Sequence, residues 1–160
     1  MREIQGDLFN AENLSGEQRI VIPHVCNDKG KWGAGFVIPL GRAFPASKEM
    51  FNARFADGSG VQGTTQFSLC GYRPHVVVAN MVAQTLFTRD QKIVRQDRPL
   101  SYRSLAACMN SVGDYAVAYE SRIVCPRFGS ALAGGNWEFI KELIKDFWVD
   151  RGIDVTVFYL

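Results

Sequence analysis

The segment Cys125-Pro126-Arg127-Phe128-Gly129-Ser130-Ala131-Leu132-Ala133-Gly134-Gly135-Asn136-Trp137 joins an apolar, β-branched run, Ile123-Val124, to an amphipathic pattern from about Asn136 to Val149. Three glycines, two alanines and a serine separate the run from the pattern. A strand that opens through small residues into a helix N-terminus lets backbone N–H groups approach an anion, and the helix dipole favours negative charge there. The segment lacks the Gly-Lys-[Ser/Thr] of a Walker loop and the G-x-G-x-x-G dinucleotide fingerprint. By itself it reads equally as an anion site or as a tight β–α turn.

Upstream, His24-Val25-Cys26-Asn27-Asp28-Lys29-Gly30-Lys31-Trp32-Gly33-Ala34-Gly35-Phe36 repeats the arrangement after Ile20-Val21-Ile22 and leads into a second helix. Two such units place two loops side by side at the carboxyl ends of neighbouring strands, the edge where open α/β sheets bind ligands. Two facing rows of amides suit a diphosphate better than one.

The remaining pattern completes an α/β chain. Arg2 to Gly6, Arg19 to Val25, Thr64 to Gly71, His75 to Asn80, Arg122 to Cys125 and Val155 to Tyr159 read as strands. Pro45 to Phe55 reads as a helix with Met50, Phe51 and Phe55 as its apolar stripe. Ser101 to Ala118 reads as another, with Leu105, Cys108, Met109 and Val112 inward. In the helix from Asn136, an N-cap, the inward residues are Phe139, Ile140, Leu143, Ile144 and Phe147, and Gly152 stops it. Asp57-Gly58-Ser59-Gly60 is a loop, and Leu86 to Arg98 is polar and irregular. Strands alternating with helices predict a three-layer α/β/α sandwich in one domain, residues 1–160. The central sheet is mixed because the third and fourth strands form a hairpin.

Composition excludes several classes. A net charge of +2 is too small to indicate nucleic acid, and Arg89, Lys92, Arg95 and Arg98 read as a solvated loop. The chain shows no signal-peptide pattern and no apolar run of membrane-spanning length. Cys26, Cys70, Cys108 and Cys125 have no C-x-x-C pairing and sit in apolar surroundings, as reduced core thiols of a cytoplasmic protein do. With two histidines, a histidine-rich metal site is not expected. No metal and no cofactor is expected.

Four motifs in order resemble a macro domain, the ADP-ribose-binding fold, across essentially the whole chain. They are Gly6-Asp7-Leu8, the loop from His24 to Phe36, Pro126-Arg127-Phe128-Gly129 through Trp137, and the closing strand Val155 to Leu160. The Gly-Asp-Leu-Phe start is similar to the branch of terminal ADP-ribose protein glycohydrolase. The resemblance implies that Asp7 accepts the adenine amino hydrogen, that the Leu8 N–H faces the ring and that Phe158 stacks on it. Without the resemblance, Asp7 is a turn residue or cap, and Phe158 is plain core. It also implies that Gly33, Ala34, Gly35 and Phe36 line one side of a diphosphate, and Gly129, Ser130, Ala131, Leu132, Ala133 and Gly134 the other. Asn27 is expected at the distal ribose or, alternatively, closing its own turn. His24, where many macro domains carry asparagine, reads as a satisfied strand-end histidine.

Two departures bear on mechanism. The glycohydrolase branch has a nucleophilic lysine at the end of the fourth strand and an aspartate four residues before the tryptophan. Here the strand reads Val77-Val78-Ala79-Asn80-Met81-Val82-Ala83-Gln84, and the loop position is Ala133. A similar Asn-x-x-x-Gln segment occurs in the ADP-ribose 1''-phosphate phosphatase branch, which implies that Asn80 and Gln84 face the distal ribose. Asp28, the one carboxylate of the first loop, is the candidate base or water-positioning group, or else a solvated loop residue. The expected function is binding of ADP-ribose or an ADP-ribosylated substrate by a monomer, with hydrolysis at the distal ribose. The alternatives are a non-catalytic ADP-ribose reader and a nucleotide-binding α/β domain unrelated to ADP-ribose. Nucleic acid enters only as a carrier of ADP-ribose, and no membrane partner is expected.

Overall fold

A computed structural model describes residues 1–57, 59–89, 92–94 and 98–160. Their strands are β1 (Arg2–Gln5), β2 (Ile20–Asn27), β3 (Thr65–Leu69), β4 (Val76–Gln84), β5 (Phe87–Arg89), β6 (Lys92–Val94), β7 (Arg122–Pro126) and β8 (Val155–Tyr159). The helices are α1 (Val37–Ala43), α2 (Pro45–Phe55), α3 (Tyr102–Ala118) and α4 (Trp137–Phe147). The main sheet runs β1-β8-β7-β2-β4-β3, parallel except that β3 is antiparallel to β4, so the sheet is mixed as expected.

Alternation along the strands sorts residues between two helical layers. Val21, Ala79, Met81, Ile123, Cys125, Val155 and Val157 pack with α3 and α4 residues such as Leu105, Met109, Ile140 and Ile144. Ile20, Ile22, Val76, Val78 and Val124 pack with Leu40 and Phe44, while Cys26 and Val82 meet Phe51 and Phe55 of α2. The result is the three-layer α/β/α sandwich. Caps set the helix starts: Ser101 Oγ accepts the Ser104 N–H at 3.2 Å, and Asn136 Oδ1 accepts the Phe139 N–H at 3.2 Å. Among the described residues, no helix is long and apolar enough to cross a membrane.

Four expectations are corrected. The fourth strand does not end at Asn80 but continues to Gln84, because Met81-Val82-Ala83 carry on the apolar run between β2 and β3. The segment from Leu86 to Arg98 is not wholly irregular: β5 and β6 pair as Phe87↔Val94, Thr88↔Ile93 and Arg89↔Lys92. Its short β-branched alternation is masked in sequence by interleaved charge. Of its cations, Lys92 and Arg98 are exposed, the Arg98 guanidinium lies 4.4 Å over the Tyr102 ring, and Arg95 lies outside the described residues, as does Gly58 of the preceding loop. Phe139 is 45% exposed, edge-on to Tyr102 at 4.7 Å, because it falls on the flank of α4 rather than its inner stripe. Met50 is also exposed, on the outer side of α2.

β2 pairs with β4 along its whole length but with β7 only at Ile20 and Val21. The Ile20 N–H donates to His75 O on the β4 side. Even-numbered N–H groups of β2 therefore face β4 and odd-numbered ones face β7. Pro23, on the odd side, has no N–H to give. The regular ladder to β7 ends before it, and from His24 onward β2 borders a cleft at the carboxyl edge of the sheet.

Candidate functional site

Two connected chambers occupy that opening. The central chamber, about 500 Å³, lies between the ends of β2, β4 and β7. The edge chamber, about 420 Å³, is lined by Gly6–Phe9, Pro39 and Phe158–Leu160. Gly35, Phe36, Pro126 and Arg127 line both.

The first loop is shaped by a polar side chain. Asn27 Oδ1 accepts the N–H groups of Lys29 and Lys31, each at 3.0 Å, and Nδ2 donates to Lys31 O at 2.7 Å. The turn-closing reading of Asn27 is therefore the geometry found, although the residue also borders the central chamber. Trp32 donates its indole N–H to Val37 O at 2.9 Å, fixing the loop to the start of α1.

The second loop is shaped by missing side chains. The Gly135 N–H donates to Gly129 O at 2.8 Å. A Cβ on Gly135 would lie 2.5 Å from that same oxygen and 2.6 Å from Leu100 Cδ2. Gly129, at φ +73°, makes the left-handed turn that brings the loop back.

The structure places the sequence candidates as follows. Asn27, Gly33, Ala34, Gly35, Phe36, Gln84, Gly129, Ala131, Leu132 and Ala133 line the central chamber. Asp7, Leu8, Gly35, Phe36 and Phe158 line the edge chamber. Asp7 Oδ1 accepts the Phe9 N–H at 2.9 Å, the turn reading, and the residue also borders the edge chamber. Phe158 is likewise both core and wall.

Asn80, Asp28, Ser130 and Gly134 are not on either wall. Asn80 shares the parity of Ile22 and Val78, so its side chain enters the α1–α2 layer. There it receives hydrogen bonds from His24 Nε2 at 2.6 Å and Ser47 Oγ at 3.2 Å, and donates to Gln66 Oε1 at 3.0 Å. Asp28 turns toward the connection after β4, where it accepts from Thr85 Oγ1 at 3.1 Å and from the Leu86 N–H at 3.3 Å. Ser130 Oγ donates to Arg127 O at 2.9 Å, and the Gly134 N–H donates to Ala131 O at 3.0 Å; both bonds close the loop on itself.

His24 is on the central wall and buried. Burial pushes its imidazole down to about 4, against the Asn80 hydrogen bond, which favours the charged form. At neutral pH the ring is uncharged. Since Asn80 Oδ1 only accepts, Nε2 carries the hydrogen, and the Nδ1 lone pair faces the Cys26 thiol at 3.8 Å. The neighbouring Cys26 thiol is raised by burial and stays protonated.

Sequence reasoning missed Lys31, Leu86, Pro99, Phe128 and Arg127. Arg127 was visible, next to Pro126 in the decisive loop. Its guanidinium lies 3.9 Å over the Tyr159 ring and meets Glu3 Oε1 at 3.3 Å. Partial burial opposes ionisation of Glu3. The Trp137 indole N–H, Lys141 and Arg127 outweigh this and hold its carboxyl below the ordinary range.

No protein-family model matches the chain. A solved macrodomain protein from Streptomyces coelicolor is 32% identical and superposes with a TM-score of 0.80 over 99% of this chain and 98% of its own. The chain belongs to the macro domain family. Two curated relatives extend the likeness. An ADP-ribose 1''-phosphate phosphatase from Lodderomyces elongisporus is 31% identical over 149 residues, 90% of each chain. One of the same name from Candida albicans is 24% identical over 148 residues, 90% of this chain and 91% of its own. In this macro domain, as in other open α/β sheets, the cleft sits at the carboxyl ends of the parallel strands.

Proposed function

We propose that this macro domain binds ADP-ribose along the joined chambers and hydrolyses a group from its distal ribose. The observation that carries the reading is the pair of chambers, about 420 and 500 Å³, meeting at a shared wall. Adenosine fits the edge chamber, with its amino group toward Asp7 and its ring toward Phe158. The diphosphate lies at the shared wall, and the distal ribose enters the central chamber beside His24 and Gln84. The curated relatives are named as ADP-ribose 1''-phosphate phosphatases, which supports a phosphate or another small group at the 1'' position.

Chemistry in this reading runs on water, since the end of β4 offers Gln84 in place of a lysine. Neutral His24 is the group on the wall suited to orient that water. Asp28 acts at one remove, holding the connection that carries Leu86 to the chamber. Four buried thiols are consistent with a reducing, cytoplasmic setting, and the protein acts as a monomer.

The test is turnover of ADP-ribose 1''-phosphate, ADP-ribosylated protein and ADP-ribosylated DNA, beside calorimetry with ADP-ribose, AMP and ADP. Release of phosphate or ADP-ribose from any of the three, with ADP-ribose binding more tightly than AMP, supports the proposal. AMP binding as tightly as ADP-ribose would overturn it. Tight ADP-ribose binding without turnover would make the domain a reader, a reading favoured by Ala133 in place of a carboxylate.

A further inference from the structure

We propose that Arg127 is the cation that recognises the diphosphate, and that Glu3 is the counter-ion it exchanges for the ligand. The inference rests on the ADP-ribose reading and adds to it a specificity-determining residue.

Of the four residues common to both chambers, three are neutral and the fourth is Arg127. A ligand spanning both must pass it. The Tyr159 ring under its guanidinium, at 3.9 Å, fixes the plane of the group without using its N–H donors. A guanidinium carries five such donors, arranged to meet two oxygens at once. The ion pair with Glu3 runs through one nitrogen, Nη2, at 3.3 Å. The Arg127 side chain is 40% exposed, so its edge is accessible from the cleft.

Glu3 is built to lose this partner. Its Oε1 also accepts the Trp137 indole N–H at 3.0 Å, and Lys141 Nζ lies 3.7 Å from Oε2. When Arg127 turns to a diphosphate, the carboxylate keeps a hydrogen bond and a cation. The exchange trades one carboxylate charge for the larger charge of a diphosphate, and neither ion is left without a partner. Glu3 thereby sets a threshold that a diphosphate passes more readily than a single weak anion.

The experiment uses the whole chain and three probes: ADP-ribose, adenosine and inorganic pyrophosphate. Arg127→Met keeps the aliphatic length over Tyr159 and removes the charge. It is expected to weaken ADP-ribose and pyrophosphate by about 10- to 100-fold, the range of a charge-assisted contact, and to leave adenosine within twofold. Arg127→Lys recovers part of the loss. Glu3→Gln is expected to tighten ADP-ribose by about two- to fivefold in the wild-type background and by nothing in the Arg127→Met background. An equal loss for adenosine and ADP-ribose would make Arg127 only a wall, and equal tightening in both backgrounds would make Glu3 only a distant charge. Either result overturns the proposal, as does unchanged binding in Arg127→Met. Arg127-dependent pyrophosphate binding by a protein that ignores ADP-ribose would leave Arg127 an anion site and sink the ADP-ribose reading instead.

Discussion

The loop after β2 and the loop after β7 face each other across the central chamber, and each follows a strand of buried apolar residues. In the first, one amide side chain, Asn27, ties three backbone groups together. In the second, Gly129 and Gly135 let the backbone fold onto itself against Leu100 and Ile140. The first loop holds its shape by a polar staple that can be cut without crowding. The second holds it by a fit that tolerates nothing added. Loops of similar composition can thus fail in opposite ways.

The largest effect is expected where the fit is tightest. Gly135→Ala places a methyl group 2.5 Å from a backbone oxygen and 2.6 Å from Leu100, so the loop must move. A loss of about 3 kcal/mol is expected from such overpacking, read as a lower urea midpoint at unchanged slope. Gly33→Ala in the first loop, where nothing lies within 4 Å, is expected to stay within about 0.5 kcal/mol. Equal losses would erase the contrast.

The next effect is one of pH. His24 sits edge-on to Trp32 of the first loop, with ring centroids 5.3 Å apart. Its folded value of about 4 lies below the ordinary 6.5, so the unfolded chain binds the extra proton first as pH falls. Its contribution is present above about 6.5 and is lost as pH drops through about 4. The shift corresponds to at most about 3 kcal/mol. Chemical denaturation from pH 7 to 4 should show this slope in the wild type and a shallower one in His24→Gln. Hydrogen exchange should loosen the first loop before the second.

A smaller effect follows from cutting the staple. Asn27→Ala leaves the Lys29 and Lys31 N–H groups without their partner, which costs about 2 kcal/mol at most. Faster exchange should be confined to residues 28–36. Spread into 127–135 would show that the loops are coupled rather than separately held.

The smallest effect is expected at Asp28. Asp28→Asn keeps one acceptor for the Thr85 hydroxyl or the Leu86 N–H and the shape of the turn, so turnover on whichever substrate proves active should fall by less than about tenfold. A fall of about 10²–10⁴ would return Asp28 to the reacting water as a base.

These contrasts also mark what a single sequence conveys. Strand and helix periods are averages over many residues, so the sheet order's ingredients, the small-residue loops and the Asn136 cap were legible. The β5–β6 pair was not, because three-residue strands interleaved with charge carry too short a pattern. Site residues divided by type. Gly33, Ala34, Gly35, Gly129, Ala131 and Ala133 fall on the chamber walls, where small residues leave the backbone accessible, while Gly134 does not. Asn27, Asn80 and Asp28 all bond to the protein itself, and only Asn27 also borders the chamber, because an amide or carboxylate near a strand end looks the same in sequence whether it faces a cleft or its own backbone. For Asn80 the period-two parity with Ile22 and Val78 was the available signal. For Arg127, the weight given to small residues hid the charge beside them.

Pro23 gives the cleft a permanence that a ligand does not have to create. In most sheets, a gap between adjacent parallel strands would be an invitation to zip shut. Here the donor that would start the zipping is missing from the covalent chain, so closing the gap would bring no hydrogen bond at that rung. The ladder between β2 and β7 stops at Val21, and the cleft begins at His24 where the strand ends diverge into their loops. A guest thus meets a doorway already framed, and its binding energy is not spent on prising strands apart.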